Sequence, residues 1–282
     1  MLNHLTCIHL KDEIGNNVKE MRFRLKMTLK LLFRLLFGSR KDDIDKTEWG
    51  YDDHYGKFWE RGDLFRVNYT YVRNDVPLDP HISSFTFKRE GIVTILAEKI
   101  GRHKFKSILE IGSGAGENIL MLAPLFPGVK FTGVEPAASG VKVANAFFGD
   151  PPKEFGDAFR TGRVNNARCV QGNILDKNSY RDLLQEDYDF VYTSAVLEQL
   201  HDYIDLAFEN IFSICNGYFL FYEEWLEANY LIENYHYLVY NNYFRFSWNI
   251  LNKYRDVEIL ERDIPSLQPS WLKYGVVFCR KR

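Results

Sequence analysis

The sequence predicts an α/β protein whose core is a mainly parallel sheet. Three observations carry that expectation. The apolar run Ser107 to Ile111 leads directly into Gly112-Ser113-Gly114-Ala115-Gly116 and then into a helical stretch from Asn118 to Phe126. Strand, glycine turn and helix in succession open a nucleotide-binding sheet, because glycines let the backbone approach a ligand at a helix N-terminus. Further apolar runs then end in polar residues: Val129 to Pro136, Ala167 to Asn173, and Tyr188 to Ser194, the last running into a helix near Val196. Gly217 to Trp225 reads as a fifth strand, and Asp256 to Pro265 and Trp271 to Arg282 read as two more.

Three stretches precede the sheet. Residues 18–37 place Arg22, Lys26, Lys30 and Arg34 four apart, with Met21, Leu25, Leu29, Leu32, Phe33 and Leu36 between them, which is the spacing of an amphipathic helix. From Val18 to Lys41 there are eight Lys or Arg against one Glu. Two readings stay open: residues 18–41 lie on an anionic bilayer surface, or they pack on the protein's own body or on a second copy in a homodimer. Residues 49–84 are aromatic and polar without clear periodicity and fit a cap of loops and short helices. From Phe85 onward, Ile92, Ile95, Leu96 and Ile100 repeat at helical spacing, and Gly101 marks the expected stop. The expected organisation is therefore 1–48 as basic helix and linker, 49–84 as cap or lid, and 85–282 as the α/β domain.

Composition excludes several classes. A chain of 282 residues can bury roughly three quarters of its unfolded surface. With 46% hydrophobic residues, 22 Phe, 17 Tyr and 5 Trp it is far from a disordered composition. A net charge of −2 supplies no global field for nucleic acid, so none is expected as a partner. Cys7, Cys169, Cys215 and Cys279 lie far apart without a CxxC pair, which suits a reducing compartment and offers no zinc spacing. No metal site is expected. No run of about 18 uncharged apolar residues occurs, so the chain is expected in the cytoplasm, peripheral at the inner membrane face if residues 18–41 bind lipid.

The glycine spacing helps to choose the ligand. A dinucleotide fingerprint reads GxGxxG, whereas this turn reads GxGxG with Glu117 next and Glu110 before it. Acidic groups there are awkward for a pyrophosphate and acceptable for a positive sulfonium. The next strand ends in Glu135, 25 residues beyond Glu110, where a carboxylate can accept from both ribose hydroxyls.

Four motifs in this order, ILEIGSGAGEN (108–118), GVEP (133–136), VQGNILD (170–176) and YDFVYTSAVLEQL (188–200), resemble those of the class I S-adenosylmethionine-dependent methyltransferases. The resemblance covers about residues 90–282. It implies S-adenosyl-L-methionine as cofactor and a Rossmann-like, seven-stranded, mainly parallel sheet with an antiparallel terminal hairpin, helices on both faces and an N-terminal helical cap. It also implies that Gly112, Ser113 and Gly114 line the methionine portion, flanked by Glu110 and Gly116, and that Glu135, beside Pro136, binds the ribose. Asn173 and Ile174 would frame the adenine, while Thr193 and Ser194 close the pocket. Asn173 stands where the family often has Asp, and its amide oxygen can still accept from the adenine amino group. The stretch 147–166 reads as an insertion, either a surface loop or a substrate or partner contact.

In open α/β sheets ligands bind beyond the carboxyl ends of the strands, so the acceptor should lie near strands one, four and five. From Tyr218 to Trp248 there are 13 aromatics in 31 residues, which suit either an acceptor surface or a helix packed on the sheet. A hydroxyl acceptor also needs a proton removed. The candidate bases are His201, Glu223 or its neighbour Glu224, and His236, with His81 a weaker fifth. The expected reaction is methyl transfer to a small molecule, O-methylation of a saccharide or secondary metabolite. The alternatives are N-methylation of a sugar amine or small amine, and a non-catalytic cofactor-binding subunit.

Overall fold

The computed structural model describes Leu29 and residues 71–74, 76–77, 83–152, 163–180, 186–241, 243–269 and 272–282. Apart from Leu29, which is helical and exposed, the expected helix 18–37 lies outside the described residues, as do His81, most of 49–84, residues 153–162 and the His236 side chain.

Among the described residues there are ten strands: β1 Tyr71–Arg73, β2 Val76–Pro77, β3 Ser107–Ile111, β4 Lys130–Glu135, β5 Ala167–Gln171, β6 Phe190–Ser194, β7 Tyr218–Glu223, β8 Val257–Asp263, β9 Leu267–Pro269 and β10 Gly275–Lys281. The α-helices are α1 Ser84–Lys88, α2 Thr94–His103, α3 Glu117–Leu122, α4 Ala138–Gly149, α5 Ile204–Ile214 and α6 Ile232–Asn241.

Seven strands form one sheet in the order β5-β4-β3-β6-β7-β10-β8. Strands β3 to β7 run parallel, and β10 runs antiparallel between β7 and β8. This is the expected Rossmann-like architecture. Leu109, Phe190, Phe219 and Phe278 are fully buried because helices cover both faces, which is why the central strands read as continuous apolar runs. Each such side chain contributes about 2 kcal/mol of burial. One core packs α5 with Trp225 and Phe244 on one face; the other packs α2, α3 and α4 on the opposite face. Much of the aromatic segment thus serves the core, while Tyr230 and Tyr235 are exposed.

Three expectations need correction. The helix from Phe85 does not stop at Gly101. It runs on to His103 and ends where Lys104 takes a left-handed conformation, φ 56°. It is also not continuous: a π turn at Arg89–Val93 separates α1 from α2, with Gly91 at φ −92° and ψ −107°. And the segment expected as loops and short helices contains β1 and β2, which pair with each other and, through β1, with β9 in the connection between β8 and β10. That small second sheet stands beyond Gly275, which pairs with Glu223 at the carboxyl end of β7. It adjoins the carboxyl end of β7, where Tyr274 stacks on Tyr222.

Candidate active site

The parallel register brings the carboxyl ends of β3, β4, β5 and β6 to one edge: Ile111 is level with Val134 and Thr193, and Glu135 with Gln171. The sequence-predicted cofactor residues are therefore neighbours. Gly112, Gly114 and Gly116 have φ of 68°, 54° and 73°, a region that side chains rarely tolerate. A Cβ at Gly112 would stand 2.5 Å from Val196 Cγ2, so the turn after β6 closes directly on the glycine loop.

Four amides of this loop are engaged within the chain. Gly112 and Ser113 both donate to the Val134 carbonyl (2.8 and 3.1 Å), Gly116 donates to the Ser113 carbonyl (2.8 Å), and Gly114 donates to Glu135 Oε2 (2.9 Å). A pyrophosphate site needs such N–H groups pointed at the ligand, so this loop is not built for one. The second oxygen of Glu135 accepts the Ala137 amide at 3.1 Å, and the two amides orient the carboxylate across the loop.

The acceptor-rich floor beneath the loop fits a cation. Glu110 Oε1 accepts from Asn118 Nδ2 at 2.7 Å, while Glu110 Oε2, Glu117 Oε1 and Asn118 Oδ1 are buried without a donor among the described residues. Burial pushes the Glu110 carboxyl up to about 8; the Asn118 bond, the adjacent Tyr192 hydroxyl and the Lys88 charge oppose part of that shift. Lys88 of α1 forms an ion pair with Glu117, tying the segment before the π turn to the helix that follows the glycines. Unmatched acceptors beside one ammonium suit the amino acid end of S-adenosylmethionine, with its cationic amine and its carboxylate.

The remaining predicted residues are placed as follows. The Ser113 hydroxyl turns inward, 3.2 Å from Cys169 Sγ, where Gly133 leaves it room, so its backbone and not its side chain faces the loop. The Pro136 carbonyl accepts from Gln171 at 3.1 Å. Asn173 Oδ1 caps the Leu175 amide (3.0 Å) and the buried Ile174 offers its carbonyl to Asn210 (2.7 Å), which fixes the turn after β5. Thr193 is fully buried beside Glu223, and half-buried Ser194 pairs with Tyr222 across the β6–β7 ladder.

The candidate bases separate. His201 Nε2 lies 2.8 Å from the Arg245 guanidinium, which can only donate, and the ring stacks on Phe246. Its lone pair is taken. The Glu223 carboxylate accepts the amides of Val196 and Leu197 (both 3.0 Å to Oε2), so it holds the turn that meets Gly112. Glu223 is a positioning residue in this arrangement. The backbone of His236 lies in α6. Glu224, only the alternative in the sequence, is fully buried and neither carboxyl oxygen has a donor among the described residues. Sequence reasoning missed Glu198, whose carboxyl lies against that of Glu224, because VLEQL reads as one turn of an apolar helix.

Residues 86–254 match the family described as "Methyltransferase domain". No curated protein is similar enough in sequence to match the chain. In fold, the chain is similar to magnesium protoporphyrin IX methyltransferase from Synechocystis PCC 6803 with bound S-adenosylmethionine: 11% identity, 86% of this chain and 100% of that one covered, TM-score 0.57. An O-methyltransferase family protein from Burkholderia thailandensis is similar at 12% identity over 92% of this chain and 70% of that one, TM-score 0.57. At such identities these likenesses show the fold.

Proposed function

The chain belongs to the methyltransferase-domain family and uses S-adenosylmethionine, and from that premise we propose that its methyl acceptor is a small molecule held between the carboxyl ends of β6 and β7 and the β1–β2–β9 sheet. The observation that carries this reading is the pairing of β1 with β9. Gln268 of β9 brackets Tyr274, accepting from its amide and donating to its carbonyl (both 2.8 Å), and Tyr274 stacks on Tyr222 at 4.9 Å. Tyr71 of β1 stacks on Phe87 at 4.6 Å beside it. Aromatic side chains packed beside the end of β7 suit a compact acceptor.

When bound, S-adenosylmethionine supplies a methyl carbon on a positive sulfur, so much of the rate can come from holding the acceptor in line. Transfer to a sugar or metabolite oxygen, the reading that the sequence favours, needs a base with an open acceptor position. Among the described candidate bases, His201 and Glu223 are occupied by Arg245 and by backbone amides, while neither oxygen of Glu224 receives a donor.

The test is formation of S-adenosylhomocysteine by the isolated full chain with sugars, phenols and amines, and with RNA and unrelated protein as comparison substrates. Turnover with a small acceptor and none with the macromolecules is the expected result. Tight cofactor binding without turnover on any acceptor would favour the non-catalytic subunit.

A further inference from the structure

The glycine loop has already committed its donors. Gly112, Ser113, Gly114 and Gly116 all give their amides to acceptors within the chain. A carboxylate held at this end of the cofactor cannot draw on those four N–H groups and needs a donor from a side chain. Beneath the loop the imbalance runs the other way. Glu110 Oε2, Glu117 Oε1 and Asn118 Oδ1 are buried acceptors for which the described residues supply no donor. A site with acceptors to fill and one cation to offer matches a group that carries an ammonium and a carboxylate together.

That cation is Lys88. Its ammonium pairs with Glu117 Oε2, and its side chain is 31% exposed against 6% for Glu117, so solvent reaches the pair from the lysine side. The pair is not what places α1. Phe87, next to Lys88, is buried and stacks on Tyr71 of β1 at 4.6 Å, and Ser83 caps the helix by accepting the Thr86 amide at 3.2 Å. Directly after Lys88 comes the π turn of Arg89–Val93, a distortion that recurs at functional sites. A lysine held in place by its neighbours, and paired with a carboxylate whose second oxygen has no donor, can change partners without moving its helix.

We propose that Lys88 reads the carboxylate of the cofactor's amino acid end, passing to it from Glu117, and that Glu117 then accepts from the cofactor's ammonium. This rests on the S-adenosylmethionine reading. One ion pair becomes two; no proton moves, and the amino acid end brings no net charge into the buried floor. Charged pairs of this kind are the strong ones when they are kept from water. The exchange selects for a complete amino acid end, because a nucleoside without it leaves Lys88 on Glu117 and the buried acceptors unmatched.

The experiment is calorimetric titration of the full chain with S-adenosylhomocysteine, with its carboxylate methyl ester, and with methylthioadenosine, which lacks the amino acid end. The parent should bind S-adenosylhomocysteine about 10- to 100-fold more tightly than the ester, the span of a hydrogen bond to a charged group. Lys88→Met keeps the apolar stem and removes the charge; it should erase that difference and leave methylthioadenosine binding as it is in the parent. Equal affinity of the parent for acid and ester overturns the proposal without any variant. A preference that survives Lys88→Met overturns it too, and so does a loss of methylthioadenosine equal to that of S-adenosylhomocysteine, which would make Lys88 a structural residue. A parent chain that binds none of the three overturns the cofactor reading itself, so the two failures are distinguishable.

Discussion

At the amino end of the sheet, Asp189 accepts the amides of Lys106 and Ser107 at 2.6 and 3.1 Å, and His103 stacks on Phe105 within a cluster that includes Tyr218 and Phe278. At the carboxyl end, Glu110, Glu117 and Glu224 keep buried oxygens for which the described residues supply no donor. The Asp189 carboxylate is thus satisfied at one end, while these three carboxyl groups keep oxygens without donors at the other. Buried acceptors without donors are costly wherever they occur, so each calls for a proton or for another molecule.

Substitutions at the two ends should separate these roles. The largest effect is expected from Gly112→Ala. A methyl group at φ 68° and 2.5 Å from Val196 should cost about 3 kcal/mol of stability and displace the turn that Glu223 holds. Thermal melting and S-adenosylmethionine calorimetry should both respond, and an unchanged protein would mean that the loop is looser than its contacts imply. Glu135→Ala should weaken S-adenosylmethionine by about 1–3 kcal/mol, because a charged acceptor at the loop is lost. Full affinity in that variant would remove the ribose assignment. Asp189→Ala, at the opposite end, should cost about 1 kcal/mol in denaturant unfolding as two amides lose their acceptor, with cofactor affinity untouched. A change in affinity there would blur the division between the ends.

The glycine loop and the parallel strands were legible because their signals are local. Ser107 to Gly116 carries strand, turn and helix start within a dozen residues, and the carboxylate of Glu135 follows at the end of the next strand. The small second sheet was not legible, since β1 and β9 are three residues each and derive their identity from each other across the chain. Nor could the dipeptide Glu223-Glu224 be resolved by reading it. Successive side chains of a strand face opposite sides, so one carboxyl meets the amides of Val196 and Leu197 while its neighbour meets Glu198. The choice of Glu223 as a base over Glu224 turned on a face that periodicity does not reveal at a strand end.

The ladder that joins Tyr71 to Pro269 also sets an order of events in time. A strand of three residues cannot persist alone, and its partner emerges only after the entire parallel sheet has left the ribosome. Contacts of such long sequence separation are the slow ones to form. The newly made chain therefore acquires the strands of its glycine loop and cofactor edge before the pairing of β1 with β9 can form.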